Sequence, residues 1–192
     1  MKTVFFDIDT QIDFVFPAGA LYAAGAETIL PHVAKLNHYA AQRGIPVISS
    51  VDAHAENDPE FRDWPHHCVV GTLAQQKPAA TLLEKRAKVP NTLAAIHIAG
   101  AQQMIVEKQT FSMFSNINLK LLLDHFDADR YVVYGLVTEV CVKFAAFGLL
   151  ETGKRVEIVT DAIRPLNDTN GAQVLADFQA TGGYLTTSDQ LV

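Results

Sequence analysis

Five short runs of apolar, β-branched or aromatic residues recur along the chain: TVFFDI (3 to 8), IPVISSV (45 to 51), MIVEK (104 to 108), RYVVYGL (130 to 136) and RVEIVT (155 to 160). Each is too short and too continuously apolar for a surface helix, and reads as a strand buried on both faces. Between them, residues 26 to 43, 116 to 125, 139 to 152 and 168 to 180 place apolar side chains at spacings of three and four, the helical pattern. Gly44 and Gly153 close two of these stretches, as left-handed C-terminal caps require. Strands alternating with helices predict an α/β fold: a three-layer sandwich whose central, mostly parallel sheet is covered by helices on both faces.

In such a sheet, sites form beyond the C-terminal strand ends, and that rule selects residues. Asp7, Asp9 and, further on, Asp13 sit at the end of the first strand, and Asp52 and His54 come after the second. Lys108 closes the third, Cys141 lies past the fourth, and Asp161 ends the fifth. The long stretch from Ala53 to about Pro90 is larger than an ordinary strand-to-helix loop and is expected to wall the site.

With 192 residues, 49% hydrophobic and 19% charged, the chain can bury one sizeable core, so residues 1–192 are expected to form a single domain. A net charge of -6, with no basic stripe, argues against a nucleic-acid partner. The first ten residues, MKTVFFDIDT, reach an aspartate too early for a signal peptide, and no apolar run has the length of a membrane span. A cytoplasmic protein is expected. Its two cysteines, Cys68 and Cys141, then read as free thiols.

Two constellations carry chemistry. A thiol needs a proton acceptor or a stabilised thiolate before it can attack an amide. A carboxylate at Asp9 supplies the first and an ammonium at Lys108 the second, against a plain alternative in which they form a rim ion pair while Cys141 packs in the core. Asp52 and His54, two apart on extended chain, face the same way, and a third ligand from His66 or His67 completes a carboxylate and imidazole metal site. Glu56, Asp58 and Glu60 are either outer ligands or solvated loop acids. A rival reading takes FFDIDT as the D-x-D signature of haloacid-dehalogenase-type phosphotransferases, but it leaves Cys141 and the histidines unused.

Three segments then carry a resemblance. DIDTQIDF is similar to the D-x-Q-x-D-F opening of the isochorismatase-like cysteine hydrolases, EKQTFSMF to their K-x-x-x-S-x-F segment, and GLVTEVCV to their G-x-x-T-x-x-C-V turn. DAH followed by WPHHCVVGT resembles the metal motifs of the nicotinamidase branch. The resemblance implies Asp9, Lys108 and Cys141 as a catalytic triad and Asp52, His54 and His67 as ligands to a divalent metal, zinc first, with manganese and iron as alternatives. It further implies a cis peptide between Val137 and Thr138, an oxyanion hole from the backbone N–H groups of Thr138 and Cys141, and pocket walls at Phe14 and Trp64. The implied activity is deamidation of nicotinamide to nicotinate and ammonia through a thioester. Alternatives are hydrolysis of another amide, carbamoyl or ureido compound, or a non-catalytic thiol-bearing module. A small-molecule amide partner and a homo-oligomer are expected. The sequence departs from the family pattern at Glu139, usually aspartate, at DAHA in place of D-W-H-P, and in a shorter loop between His54 and His67. Asp13 is expected to support the site and Asp161 to cap local backbone, while Cys68 has no assigned role.

Overall fold

The computed structural model describes residues 1–93 and 95–192. Its sheet has seven strands: β1 (Thr3–Ile8), β2 (Val47–Asp52), β3 (Arg86–Val89), β4 (Gln103–Lys108), β5 (Arg130–Leu136), β6 (Arg155–Arg164) and β7 (Tyr184–Thr186). Their order is β3-β4-β2-β1-β5-β6-β7, and every neighbouring pair is parallel. The chain starts at the centre, winds outward to β3, then returns past β1 to build the other half. The crevice at this reversal, above the C-terminal ends of β1, β2 and β5, is where such sheets hold their ligands.

Alternation along β1 shows how the layers form. Val4, Phe6 and Ile8 belong to one apolar cluster, and Phe5, between them, belongs to the other. Each fully buried side chain of this size stabilises the fold by about 1.5–3 kcal/mol, which is why a strand buried on both faces has few polar positions. On the Phe5 side lie α1 (Ile12–Val15) and α2 (Leu30–Gln42). Val33, Leu36, Asn37 and Ala40 of α2 are buried, a 3-4 stripe. The opposite face carries α3 (Leu119–Phe126), α4 (Lys143–Leu150) and α5 (Asp168–Ala180), and a short α6 (Ser188–Leu191) ends the chain beside β6 and α2. Gly44 and Gly153 take positive φ of 67° and 73°, as their capping positions require.

Three expectations change. β3 lies inside the stretch read as irregular, and β7 was not anticipated; both are short edge strands with exposed positions, so neither shows an apolar run. β6 continues to Arg164, so Asp161 sits within the strand and not at its end. The cis peptide joins Leu136 to Val137, one bond before the expected position. Pairing of β5 with β6 persists through Leu136, so the chain departs from the sheet at that bond and not after it. Among the described residues, no helix is long and apolar enough to cross a membrane.

Candidate active site

Four strand ends converge on the buried ammonium of Lys108. β4 ends at Lys108, in register with Asp52 at the end of β2. The Lys108 Nζ lies 2.9 Å from Asp9 Oδ2 and 3.6 Å from Cys141 Sγ, and it donates a short hydrogen bond to Asp52 Oδ1. Asp9 just past β1, Asp52 and Cys141 beyond β5 are all buried. Asp9 has a φ of 46°, and its other carboxylate oxygen accepts the Ser50 hydroxyl at 2.6 Å.

Burial alone would lower the Lys108 pKa, but the Asp52 and Asp9 carboxylates outweigh it and hold the amine well above its ordinary value. The lysine is therefore a fixed cation. Burial pushes the Cys141 thiol well up, with Lys108 opposing and Asp9 and Asp52 adding to the rise. Desolvation outweighs the Lys108 ammonium, and the resting group is a thiol that must hand its proton to a neighbour. The turn bearing it, Thr138–Val142, is π-helical and runs into α4. The N–H groups of Val140 and Val142 both donate to the Val137 carbonyl at 3.1 Å. Thr138, buried in the same turn, has a hydroxyl without a partner among the described residues.

Beside this group, ligand atoms of Asp52, His54 and His67 lie within 4.8 Å of one another, and all three residues are buried. The chain segments carrying the imidazoles run together because His54 N–H donates to Cys68 O and Val70 N–H to His54 O. His54 Nδ1 is 3.0 Å from Asp58 Oδ2, and His67 Nδ1 is 2.8 Å from the Pro65 carbonyl. The His67 contact leaves its Nε2 facing Asp52, 3.9 Å from Oδ2, as second-shell partners of metal-bound histidines do. Neither ring nitrogen of buried His54 makes a hydrogen bond among the described residues. An orphaned buried nitrogen beside a carboxylate and a second imidazole fits a divalent metal. Burial holds His67 below its ordinary pKa, which keeps it neutral, and raises Asp52 to about 6 against the opposing pull of Lys108. Spacing left His66 and His67 open. The structure puts His66 outside, stacked on Phe61 at 4.2 Å, and buries His67.

A cavity of about 300 Å³ opens onto Cys141, Asp9 and Asp52 and is walled by Phe14, Trp64, Phe111 and Leu166. The long loop thus supplies Trp64, together with Glu60, whose carboxylate is 3.8 Å from His67 Nε2. Phe111 and Leu166 escaped the sequence reading. Nothing in their flanking residues marks them, although Phe111 falls inside the EKQTFSMF segment. Glu139, the departure from the family's aspartate, accepts the N–H groups of Leu166 and Asn167 at 3.2 and 2.8 Å and so seats Leu166 on the cavity.

Asp13 accepts the N–H of Ala20 at 2.9 Å and of Cys68 at 2.6 Å, tying down the residue after His67. Asp161 accepts the N–H and hydroxyl of Ser188, a cap on α6 far from the thiol chemistry. Cys68 is buried, and desolvation with the surrounding carboxylates pushes its thiol far up. Gln11 was noted only as part of a motif. Its amide accepts the Asp52 N–H at 2.6 Å and donates to the Asp52 carbonyl at 2.9 Å, which fixes the end of β2.

Residues 3–190 match the family described as Isochorismatase domain, and the chain belongs to the isochorismatase family of hydrolases. Within that family it falls in the nicotinamidase-like branch. It is 28% identical to the nicotinamidase of Escherichia coli (strain K12) over 207 residues, covering 94% of this chain and 92% of that protein. The crystal structure of nicotinamidase PncA from Bacillus subtilis superposes with a TM-score of 0.84 at 25% identity, covering 97% of this chain and 99% of that one. A pyrazinamidase of Pyrococcus horikoshii in complex with zinc has the same fold, with a TM-score of 0.81 at 22% identity over 97% of this chain and 99% of that one.

Proposed function

We propose that the protein is a metal-binding cysteine amidohydrolase that deamidates nicotinamide to nicotinate and ammonia. The observation that carries this reading is the buried cation of Lys108, which joins the thiol of Cys141, the carboxylate of Asp9 and the carboxylate of Asp52 in one desolvated cluster. An amide hydrolase of this type needs a nucleophile, a proton acceptor and a charge that holds both in place; Cys141 and Asp9 line one cavity, and Lys108 contacts both.

Asp9 takes the thiol proton as Cys141 Sγ forms its bond to the carboxamide carbon. The Lys108 ammonium stays protonated throughout and steadies the charge as it passes from carboxylate to sulfur. The tetrahedral oxyanion is assigned to the backbone N–H of Cys141 and, since the cis bond lies at Leu136–Val137, to that of Val137, which lines the cavity, in place of the expected Thr138. Collapse breaks the carbon–nitrogen bond, and Asp9 returns its proton to the departing ammonia. Asp9 then draws a proton from water, whose oxygen attacks the thioester; the carbon–sulfur bond breaks, and Asp9 gives that proton to the departing sulfur, releasing the carboxylic acid and restoring the thiol. Asp52, His54 and His67 would hold a divalent metal, and zinc, manganese and iron all suit a carboxylate with two imidazoles; when bound, the ion would supply a Lewis-acidic point beside the cavity. Phe14, Trp64 and Phe111 give the cavity flat apolar walls suited to an aromatic ring.

Ammonia release from nicotinamide by purified protein tests the proposal, measured as isolated, after chelation and after metal repletion. Release that falls with chelation and returns with metal is the expected result. A folded, metal-loaded protein that releases none overturns nicotinamide as substrate.

A further inference from the structure

Lys77 lies outside every motif quoted above, and Asp7, although it falls within FFDIDT, has no part in the thiol chemistry; yet the two form a buried ion pair beneath the active site. Lys77 Nζ is 3.1 Å from Asp7 Oδ2, and both side chains are almost wholly buried. The same amine donates to Thr10 Oγ1 at 2.6 Å, and Thr10 in turn donates to Asp7 Oδ1 at 2.7 Å. Asn37 and Ser49 complete the donors to Asp7 Oδ2 at 3.1 and 3.3 Å. The triangle of Asp7, Thr10 and Lys77 therefore brackets Asp9 on both sides along the chain.

Asp9 needs such a bracket. Its φ of 46° is left-handed, a conformation uncommon for residues other than glycine, although aspartate adopts it more readily than most. The segment carrying Lys77 is laced to the same loop. Gln76 O accepts the Ile12 N–H at 2.9 Å, Ala74 O accepts the Asp13 N–H at 3.1 Å, and Gln75 O accepts the Gln11 amide at 2.7 Å. From these contacts we infer that Lys77, acting through Asp7 and Thr10, is a positioning residue for the reaction: a buried clamp that sets the backbone of Asp9 so that its carboxylate meets Lys108 and Cys141. This rests on the reading of Asp9 as the proton acceptor.

Removing Lys77 alone strands a buried carboxylate and invites unfolding, so the informative variant is Asp7→Asn with Lys77→Met, which removes both charges at similar volume. Thr10→Val and Thr10→Ser form a second pair, the first deleting the hydroxyl and the second keeping it. The clamp predicts that the folded double variant loses about 10-fold or more in kcat for nicotinamide with KM within about twofold, that Thr10→Val shares the loss, and that Thr10→Ser restores it. Its crystal structure should show the Asp9–Lys108 contact, 2.9 Å in the parent, opened beyond about 4 Å. A merely structural pair would shift the melting temperature and leave kcat and that contact unchanged. Wild-type kcat in the folded double variant or in Thr10→Val, or an unmoved Asp9 carboxylate, overturns the inference. If the parent protein turns over no amide, the amidohydrolase reading fails, and the Asp9–Lys108 distance in the variant still decides the clamp.

Discussion

Lys108 Nζ and Cys141 Sγ stand 3.6 Å apart with the ammonium wholly buried, so the thiol faces a charge that water does not screen. At such a distance a desolvated cation matters to a developing thiolate far more than a surface lysine would. Replacing Cys141 with Ala should abolish ammonia release and leave the circular dichroism spectrum and melting temperature near those of the parent. Asp9→Asn, which keeps shape and removes the proton acceptor, should cost about 10²–10⁴-fold in kcat. Turnover at the parent rate by either variant would sink the proposed roles.

Asp58 is the next carboxylate to test, because it is 3.0 Å from His54 Nδ1. Asp58→Asn should weaken metal retention by about 10–100-fold while Asp52, His54 and His67 remain in place. Competition with a calibrated chelator, followed by elemental analysis, reads the change directly. Unaltered affinity would mean that the Asp58 contact does not orient the ring.

Alkaline pH should destabilise the fold, and the sign follows from which state keeps its protons. Burial raises Cys68, Cys141 and Tyr134 above their ordinary values, with nearby carboxylates adding to each. The native state therefore holds protons that the unfolded chain releases once pH passes the ordinary thiol and phenol range. Stability is fully present below about pH 8 and falls above it, by about 1.4 kcal/mol per pH unit for each such group. Cys68→Ala removes one of them without touching the proposed nucleophile. Denaturant midpoints from pH 7 to 10 should fall less steeply in Cys68→Ala than in the parent; identical slopes would contradict the assignment.

Gly135 precedes the departure from β5 at φ 118°, and a Cβ there would overlap the Ile8 carbonyl oxygen of the neighbouring strand. Gly135→Ala combines a forbidden backbone with a clash against main chain, so neither a rotamer change nor a side-chain shift relieves it. A loss of about 3 kcal/mol or more in urea unfolding is expected. A variant as stable as the parent would show that the sheet relaxes at this point.

Much of this protein was legible in one dimension. Apolar runs located five of the seven strands and the main helices, because strands buried on both faces must be continuously apolar. The strand-end rule then brought Asp9, Asp52, Lys108 and Cys141 to one rim, because side chains that follow parallel strands share one edge of the sheet. Residue spacing could not choose His67 over His66, since that choice depends on which ring the packed loop buries. Nor could it reveal that Cys141 rests as a thiol, which follows from desolvation by the assembled core. The edge strands β3 and β7, the cavity walls Phe111 and Leu166, and the Asp7–Lys77 pair are likewise products of folding. Each depends on contacts between residues far apart in the chain, and such contacts leave no local periodicity to read.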